Sequence, residues 1–397
     1  MTVTPAGRST STGTPAARGL VVLLGALTAL GPLSIDLYLP ALPQLGRDLA
    51  ASPSTIQLTL TACLVGLALG QAVAGPLSDR HGRRRPLLVG LVLYALASLL
   101  CAVAPSPGAL IAARLLQGLA GGAAIVIARA VVSDLYEGRA AARFFSTLMQ
   151  ISGIAPILSP LAGGLLMQWS SWRGLFLAVT SVGTLLLAAT LLLPETVRRR
   201  SDAPLLRTLL RVGSDRTFAG YALTSGLSFA AMFAYIGGSP FVLQDLHGLS
   251  PLTFSVVFAA NGLGIVLAGQ LSSRLTRYRP ETLLTAGLVV AFAGGAVVLG
   301  SVLLGLGLWP LLAGFFLVVA SIGVTLPNSV SLALSTCPPE ATGSASALLG
   351  LAQFVIGGLV APLAGLGSDL LLAVIIATLT ALALLTRSRT ARTGVRV

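Results

Sequence analysis

The sequence predicts an all-α polytopic membrane protein with twelve transmembrane helices arranged as two six-helix pseudo-repeats. Three observations lead to this fold class: the scarcity of charge, a series of long apolar runs, and an internal duplication. Of the 397 residues, 55% are hydrophobic and 9% are charged, and the mean hydropathy is +0.92. A soluble domain carries about 25% charged residues. Because so few charges cannot cover a water-facing surface, most of the chain is expected to face lipid or other apolar helices.

Apolar runs bounded by proline, glycine or charge recur along the whole chain. A helix needs about 20 mostly apolar residues to cross a bilayer, so the chain has room for about a dozen spans and short loops. Spans 1 to 12 are predicted at 19–40, 56–77, 87–104, 108–131, 145–167, 174–193, 217–238, 252–271, 283–303, 308–331, 343–365 and 369–386.

The arginines predict the orientation of these spans. All 25 basic residues are arginines, and with the N-terminus in the cytoplasm 22 of them fall in cytoplasmic segments. Only Arg47 and Arg173 lie outside, and Arg114 lies within span 4. Positive charge favours the cytoplasmic side, so we expect a multi-pass protein of the cytoplasmic membrane with both termini inside. The net charge of +13 is thereby explained by topology, and no nucleic-acid partner is expected.

The chain also contains a duplicated segment. Gly75–Arg80 reads GPLSDR, and Gly269–Arg274 reads GQLSSR 194 residues later. Each copy closes an even-numbered span, which predicts two homologous halves with a substrate site between them near the midplane. Nothing in the sequence indicates an oligomer, so we expect a monomer. The predicted units are a disordered cytoplasmic tail at 1–18, an N-terminal half at 19–197, a cytoplasmic linker at 198–216, a C-terminal half at 217–386 and a basic cytoplasmic tail at 387–397.

Two ionisable residues inside spans are candidates for proton coupling. Asp36 lies in span 1 and Arg114 in span 4, and at 1.5 Å per residue both lie roughly 6–9 Å below the outer ends of their spans. An intramembrane carboxyl group is costly and marks function by default. We expect Arg114 to hold Asp36 ionised when the site is empty, and protonation to loosen that coupling. Two alternatives remain open: a solvated, inert Asp36 near the interface, and a static buried pair that only fixes packing.

The loop after span 2 carries a candidate gate. Its glycines permit a tight turn and close helix approach, and its aspartate can cap a neighbouring helix. Arg83 is expected to pair with Asp134 at the inner end of span 4 in one conformation and to separate from it in another. The alternative is that the arginines only hold the loop inside. The candidate gating residues are Gly75, Asp79, Arg80, Gly82, Arg83 and Asp134.

Two further groups of residues are candidates for packing and for cargo. The prolines of span 5 bend it and its glycines allow close packing, which predicts a bendable seal between the halves; these residues are Gly153, Pro156, Pro160, Gly163 and Gly164. Aromatic and amide side chains suit apolar, partly aromatic cargo, although such stripes often serve packing alone. The candidate substrate-binding residues are Tyr38, Gln57, Gln117, Phe233, Tyr235 and Asn261.

These motifs resemble those of the major facilitator superfamily over about residues 19–386. The loop Gly75–Arg85 is similar to its signature G-x-L-x-D-x-x-G-R-[RK]-[RK], Arg114 with Gln117-Gly118 resembles its R-x-x-Q-G element, and Gly153–Gly164 is similar to its antiporter motif, with Ala155-Pro156 in place of Gly-Pro. Within that family, Asp36–Pro43, Ile56–Leu60 and Ser239–Ser250 are similar to the Bcr/CflA drug-resistance subfamily.

The resemblance implies proton-coupled export of antibiotics such as bicyclomycin, chloramphenicol or florfenicol, with a coupling role for Asp36 and Arg114. It implies small-molecule drug and H⁺ as partners beside the lipid bilayer, and no cofactor beyond the proton gradient. The alternative is an exporter or importer of an endogenous metabolite on the same fold. A membrane enzyme is disfavoured because the sequence has no HExxH, no GxSxG and no paired intramembrane acids, and the cysteine spacing gives no metal site.

Overall fold

A computed structural model describes residues 15–136, 138–193, 195, 213–275, 277–338, 342–364 and 369–394. Within these ranges the chain forms twelve long α-helices. They are α1 (Pro15–Asp36), α2 (Pro53–His81), α3 (Arg84–Ala102), α4 (Pro107–Leu135), α5 (Gly138–Leu166), α6 (Trp172–Thr190), α7 (Arg216–Phe241), α8 (Pro251–Arg274), α9 (Pro280–Leu303), α10 (Leu308–Ser335), α11 (Thr342–Leu363) and α12 (Asp369–Gly394). Residues 1–14 of the predicted tail, 198–212 of the predicted linker and 395–397 lie outside the described residues.

The all-α fold class is confirmed. In the described part of the chain no β-strand is present, and ten helical segments are long and apolar enough to cross a membrane. The other two, in α5 and α11, are apolar over Gly153–Leu166 and Leu348–Leu363. A chain with this many apolar helices is a multi-pass membrane protein.

Several helices begin with a serine followed by proline. Ser52, Ser106 and Ser250 precede α2, α4 and α8, and each side-chain oxygen accepts the backbone N–H three residues later. The serine satisfies one of the free N–H groups of the first turn, and the proline at the first helical position has no N–H to satisfy. The local sequence therefore marks where these three helices start.

The helices pack as two equivalent halves. In the N-terminal half α4 packs on α1, α2 and α3, while α1 also packs on α5 and α3 on α6. The C-terminal half repeats this pattern: α10 packs on α7, α8 and α9, while α7 also packs on α11 and α9 on α12. The halves meet through α2 with α11 and α5 with α8, which are again equivalent pairs. This layout agrees with the predicted six-helix repeats.

Glycines set the close approach of α2 and α4. A Cβ at Gly118 of α4 would overlap the carbonyl oxygen of Cys63, and one at Gly122 would overlap that of Leu67. Gly66 and Gly70 of α2 face α4 in the same manner. Small residues let two backbones touch where lipid gives no hydrophobic driving force. The tight α2–α4 pair fixes the position of the side chains that follow.

Several helix ends differ from the predicted bounds, and the largest difference at a start is in α5, which begins at Gly138 rather than 145. Two other ends have a clear physical reason. α1 was predicted to reach residue 40 but ends at Asp36, followed by a 3₁₀ turn at Leu39–Ala41 and a short helix at Leu42–Asp48. Pro40 has no N–H to donate to the carbonyl of Asp36, which favours a break in the helix at this position. In contrast, α12 continues to Gly394 through most of the predicted tail at 387–397. Hydropathy marks where a chain leaves the bilayer, whereas arginine is a good helix former beyond it.

Candidate functional site

Asp36 is the last residue of α1, at the break that Pro40 imposes. Its side chain is buried, with 5% of the residue exposed. Among the described side chains no ion pair involves Asp36, and none donates a hydrogen bond to its carboxyl group. The alternative of a solvated, interfacial Asp36 does not fit this burial. A buried carboxyl group without an ionic partner costs least when it carries a proton.

Arg114 of α4 is fully buried, with 0% of the residue exposed. Its Nη1 donates to Oε1 of Gln117, and the Nε2 of Gln117 donates to Oγ of Ser98 at 2.7 Å. The guanidinium carbon lies 4.4 Å from the centre of the Tyr38 ring and 5.6 Å from that of Phe176. Its Nε and Nη2 have no hydrogen-bond partner in the structure as described. Arg114 therefore faces an aromatic ring and an amide, and its predicted pairing with Asp36 is not made in this conformation.

Asp36 and Arg114 nevertheless belong to one buried polar cluster of the N-terminal half. Helix α1 packs on α4, and Tyr38, two residues after Asp36, contacts the Arg114 guanidinium. The hydroxyl of Tyr38 is 2.9 Å from Oγ1 of Thr59, in α2. Both side chains are buried, so Asp36 and Arg114 are neighbours of Tyr38 in one poorly hydrated part of the N-terminal half.

The other candidate cargo residues divide between the halves. Tyr38 and Gln117 surround Arg114, as described above. Gln57 of α2 reaches the C-terminal half, where its Nε2 donates to the carbonyl of Gly237 at 2.9 Å. This bond makes Gln57 part of the contact between the halves in this conformation. Its Oε1 has no partner among the described residues.

In the C-terminal half the candidates lie in aromatic clusters. The amide of Asn261 donates to the hydroxyl of Tyr235 at 2.7 Å, and the Tyr235 ring stacks on Phe258 with centroids 5.6 Å apart. Phe233 packs on Phe229 with centroids 4.9 Å apart. All three candidates are buried. They offer apolar aromatic surface and, at Tyr235 and Asn261, polar groups that already satisfy one another.

The candidate gate is built around Arg83, at the end of α2. Its Nε donates to Oδ2 of Asp134 at 2.8 Å, and its Nη1 donates to Oδ1 of Asp79 and, at 2.8 Å, to Oγ of Ser78. Burial alone would lower the pKa of Arg83, but the hydrogen bonds and charges of Asp134 and Asp79 outweigh it and raise that pKa above its ordinary value. The expected Arg83–Asp134 contact is therefore present, whereas its role as a gate stays a prediction.

The remaining candidate gate residues differ in the contacts that they make with this cluster. Gly82 adopts φ +87°, a conformation that glycine adopts without strain. Gly75 accepts a hydrogen bond from the hydroxyl of Ser78. Arg80 is exposed, with no ion pair among the described residues.

Sequence reasoning missed Glu195, which follows α6. Its Oε1 accepts the backbone N–H of Arg83 at 2.6 Å, and its Oε2 accepts that of Arg84 at 3.3 Å. A carboxylate at the start of α3 satisfies free N–H groups and opposes the positive end of the helix dipole. No local signal predicts this contact, because its partners are more than a hundred positions away in sequence.

The predicted seal in α5 is partly visible in its packing. A Cβ at Gly163 would overlap the carbonyl oxygen of Leu37, and one at Gly164 would overlap Oγ of Ser255 in α8. Pro156 and Pro160 lie within the helix. No described atom lies within 4 Å of a Cβ placed at Gly153, although its neighbour Ile151 packs closely on Gly25 of α1.

The halves are joined at the end of the molecule where α1 stops and α2 begins, called here the α1–α2 side. Arg47 and Asp245 form an ion pair there, with Nη1 and Oδ1 2.9 Å apart. Three further side chains donate to backbone carbonyls across the interface. These bonds are Gln244 to Pro40 at 3.1 Å, Ser54 to Pro362 at 3.0 Å and Thr61 to Gly358 at 2.7 Å. The sequence did not predict them.

No metal site can be built from the described residues, because they contain no group of three or more His, Cys, Asp or Glu side chains suited to hold an ion.

Comparison with known proteins places this geometry in a family context. Residues 24–362 match the family model described as Major Facilitator Superfamily. The chain is 42% identical over 356 residues to an uncharacterized MFS-type transporter, YdgK, of Bacillus subtilis, covering 87% of this chain and 88% of that protein. It is 31% identical to a bicyclomycin resistance protein homolog of Haemophilus influenzae (86% and 88% covered) and 33% identical to the multidrug resistance protein MdtL of Klebsiella pneumoniae (83% of each).

Solved structures share the fold at low sequence identity. A bacterial homolog of the human lysosomal transporter Spinster, in an inward-facing and occupied conformation, superposes with a TM-score of 0.76 at 16% identity, covering 96% of this chain and 98% of that one. The nucleoside transporter NupG gives 0.77 at 12% identity, with 94% and 99% covered. At such identities the likeness describes the fold alone.

Proposed function

We propose that this chain, which belongs to the Major Facilitator Superfamily of membrane transporters, exports small amphipathic drugs of the phenicol or bicyclomycin kind in exchange for protons. The chain is a secondary transporter rather than an enzyme. The names of two relatives, a bicyclomycin resistance protein homolog and a multidrug resistance protein, support the drug class. The aromatic clusters around Phe233 and Tyr235 support it chemically, because aromatic surface suits apolar cargo.

One observation carries the proposed coupling: a buried carboxyl group at Asp36 without an ionic partner, in the same cluster as a buried guanidinium with two unused donor atoms. Isolated charges are expensive in an apolar medium. The pair therefore has two low-cost arrangements. In one, Asp36 is ionised and Arg114 pairs with it; in the other, Asp36 is protonated and Arg114 is held by other groups. The contacts of Arg114 with Gln117 and Tyr38 support the second arrangement, because they hold the guanidinium without Asp36.

Alternating access converts these two arrangements into transport. We expect Asp36 to take a proton when the cluster is open to the outside, and the halves then to rock about their interface until the cluster opens inward. Release of the proton to the cytoplasm restores the Asp36–Arg114 pair and favours the return with bound cargo. No cofactor beyond the proton gradient is needed in this cycle, and a single chain provides all of its parts.

We further propose that both termini face the cytoplasm, in the cytoplasmic membrane. The distribution of arginines supports this orientation. With this orientation the α1–α2 side, where Arg47 and Asp245 join the halves, is the outer side. The described conformation is then closed to the outside.

Drug susceptibility of a sensitive bacterial host tests this function. Cells expressing the wild-type chain should tolerate more chloramphenicol, florfenicol or bicyclomycin than cells expressing Asp36→Asn at the same membrane level. Glu281→Gln, which neutralises an acid at the start of α9, is the matched control and should protect like the wild type. Wild-type cells as susceptible as the host without the chain, across a broad antibiotic panel, would overturn drug export and favour the transport of an endogenous metabolite. Protection by Asp36→Asn equal to that of the wild type would overturn the role of Asp36 instead.

A further inference from the structure

Arg114 has an unexpected partner in this structure. Its guanidinium lies over the face of Tyr38, 4.4 Å from the ring centre. The face of an aromatic ring carries partial negative charge and attracts a cation, most strongly where water is excluded. Arg114 and Tyr38 are both buried. The ring is therefore a partner for the guanidinium and not only a neighbour.

The other groups around Arg114 cannot replace this partner. The thiols and phenols of the N-terminal half, with ordinary pKa values of about 8.5 and 10, are neutral at physiological pH and offer Arg114 no opposite charge. Gln117 accepts one hydrogen bond. Since Nε and Nη2 have no hydrogen-bond partner among the described residues, the charge is compensated mainly by ring faces, and Tyr38 at 4.4 Å is nearer than Phe176 at 5.6 Å.

Tyr38 is also held in place for this contact. Its hydroxyl is fixed by Thr59 at 2.9 Å, and its ring packs on Phe176 with centroids 5.4 Å apart. It follows Asp36 by two residues, in the turn that ends α1. A guanidinium on a long side chain can therefore exchange between a ring and a carboxyl group that belong to the same short segment.

We propose that the ring of Tyr38 is a second docking place for the Arg114 guanidinium, occupied while Asp36 carries a proton and vacated when Asp36 loses it. This inference rests on the proposed exchange of protons at Asp36. It gives Tyr38 a role different from cargo contact: the ring lowers the cost of leaving Arg114 without its carboxylate. Weakening the ring shifts Arg114 toward Asp36 and so favours the ionised carboxylate. Asp36 then holds its proton only at lower pH.

The test is an infrared pH titration of the purified protein in lipid. The C=O stretch of a protonated carboxyl group is assigned to Asp36 by its loss in Asp36→Asn, and the pH of half-protonation is read from its amplitude. Tyr38→Phe keeps the ring and should stay close to the wild type. Mono-, di- and trifluorinated phenylalanine at position 38 weaken the ring's negative face with little change of shape, and should lower the half-protonation pH stepwise. Tyr38→Leu should lower it by about one pH unit.

The same fluorinated series at Phe258 is the matched control, because that ring stacks on Tyr235 rather than on a cation. It should leave the titration of Asp36 unchanged. A half-protonation pH that stays constant across the series at position 38 would overturn the inference while leaving proton exchange at Asp36 intact. If Asp36→Asn keeps every titrating C=O band of the wild type, both this inference and the proposed coupling are overturned.

Discussion

At the scale of single residues, the fully buried Arg114 is a costly feature of this chain. Arg114 occupies a place where an apolar side chain would pack at lower cost, since replacing buried charges with apolar groups is often neutral or stabilising. Its unused donor atoms mean that the cost is only partly compensated in this conformation. Such a residue is explained by a second conformation in which those donors are used, and Asp36 is the acid of the same cluster.

Substitution of Arg114 tests that explanation. Arg114→Ala should reduce transport driven by a pH gradient to background, because Asp36 loses its only cationic partner in the cluster. Arg114→Lys should retain activity reduced by roughly tenfold, because lysine keeps the charge but loses the planar fork, and each hydrogen bond to a charged group is worth about 1.5–3 kcal/mol. Initial rates in proteoliposomes give the measurement. Arg129→Ala, on the same helix, is the matched control; an Arg114→Ala variant as fast as this control would contradict the explanation.

At the scale of helices, the α2–α4 pair positions the cluster. The glycines at Gly66, Gly70, Gly118 and Gly122 let the two backbones touch, and Gly118 lies one turn beyond Arg114. Any widening of this interface therefore displaces Arg114 from Tyr38 and from the α2 side chains around it. The close helix contact is part of the site, and not only of the scaffold.

Adding a single methyl group at this interface should destabilise the protein. Gly118→Ala adds a Cβ that overlaps the Cys63 carbonyl, which we expect to destabilise the protein by about 1–3 kcal/mol and to lower its Tm in detergent. Gly300→Ala in α9 is the matched control, since nothing lies within 4 Å of a Cβ there. It should leave the Tm unchanged or raise it, because alanine favours the helix. Equal Tm values for the two variants would show that the α2–α4 contact is not tight.

The Arg83 cluster gives a second test at this scale. A double-mutant cycle with Arg83→Gln and Asp134→Asn should yield a coupling of about 1–3 kcal/mol in unfolding free energy, because the pair is charged, hydrogen-bonded and largely buried. Arg80→Gln, beside it in sequence but exposed, should change stability by less than about 0.5 kcal/mol. Additive effects of the two substitutions would show that Arg83 and Asp134 do not interact.

The sequence predicted these elements unevenly, for physical reasons. Hydropathy located the spans because that signal is local. The Arg83–Asp134 contact followed from a motif with known geometry. The contact of Arg114 with Tyr38 could not be predicted from the sequence, because charge alone pairs Arg114 with Asp36. The break of α1 and the packing of three helices decide which group Arg114 contacts. Glu195 was missed for the same reason.

At the scale of the whole molecule, two similar halves carry different chemistry. The offset of 194 residues pairs Ser78 with Ser272 and Asp134 with Asn328. In the C-terminal half these equivalents form a neutral hydrogen bond, from Asn328 to Ser272 at 3.0 Å, where the N-terminal half has charged contacts with Arg83. The repeat keeps the contact between helices but not the charge. The charged contacts of the proposed gate therefore lie in the N-terminal half, as do the residues proposed for proton coupling.

The ion pair on the α1–α2 side contributes to the balance between conformations. Arg47 and Asp245 have side chains 67% and 43% exposed, so water and salt screen them and the pair is worth at most about 1 kcal/mol. Arg47→Asp should shift the population away from the described conformation by roughly fivefold or less. The measurement is the distance between two spin labels, one placed beside Arg47 and the other beside Asp245. The swap Arg47→Asp with Asp245→Arg should restore the wild-type distances. A swap that behaves like the single variant would contradict an ionic contact.

Transport by reconstituted protein tests the central claim most directly. Proteoliposomes containing the wild type or Asp36→Asn are given an imposed pH gradient, and accumulation of labelled chloramphenicol is followed, with Glu281→Gln as the control for loss of an acid elsewhere. We predict gradient-driven accumulation by the wild type and by Glu281→Gln, and none above equilibration by Asp36→Asn. Gradient-driven accumulation by Asp36→Asn equal to that of the wild type would contradict the claim that this buried carboxyl group carries the proton.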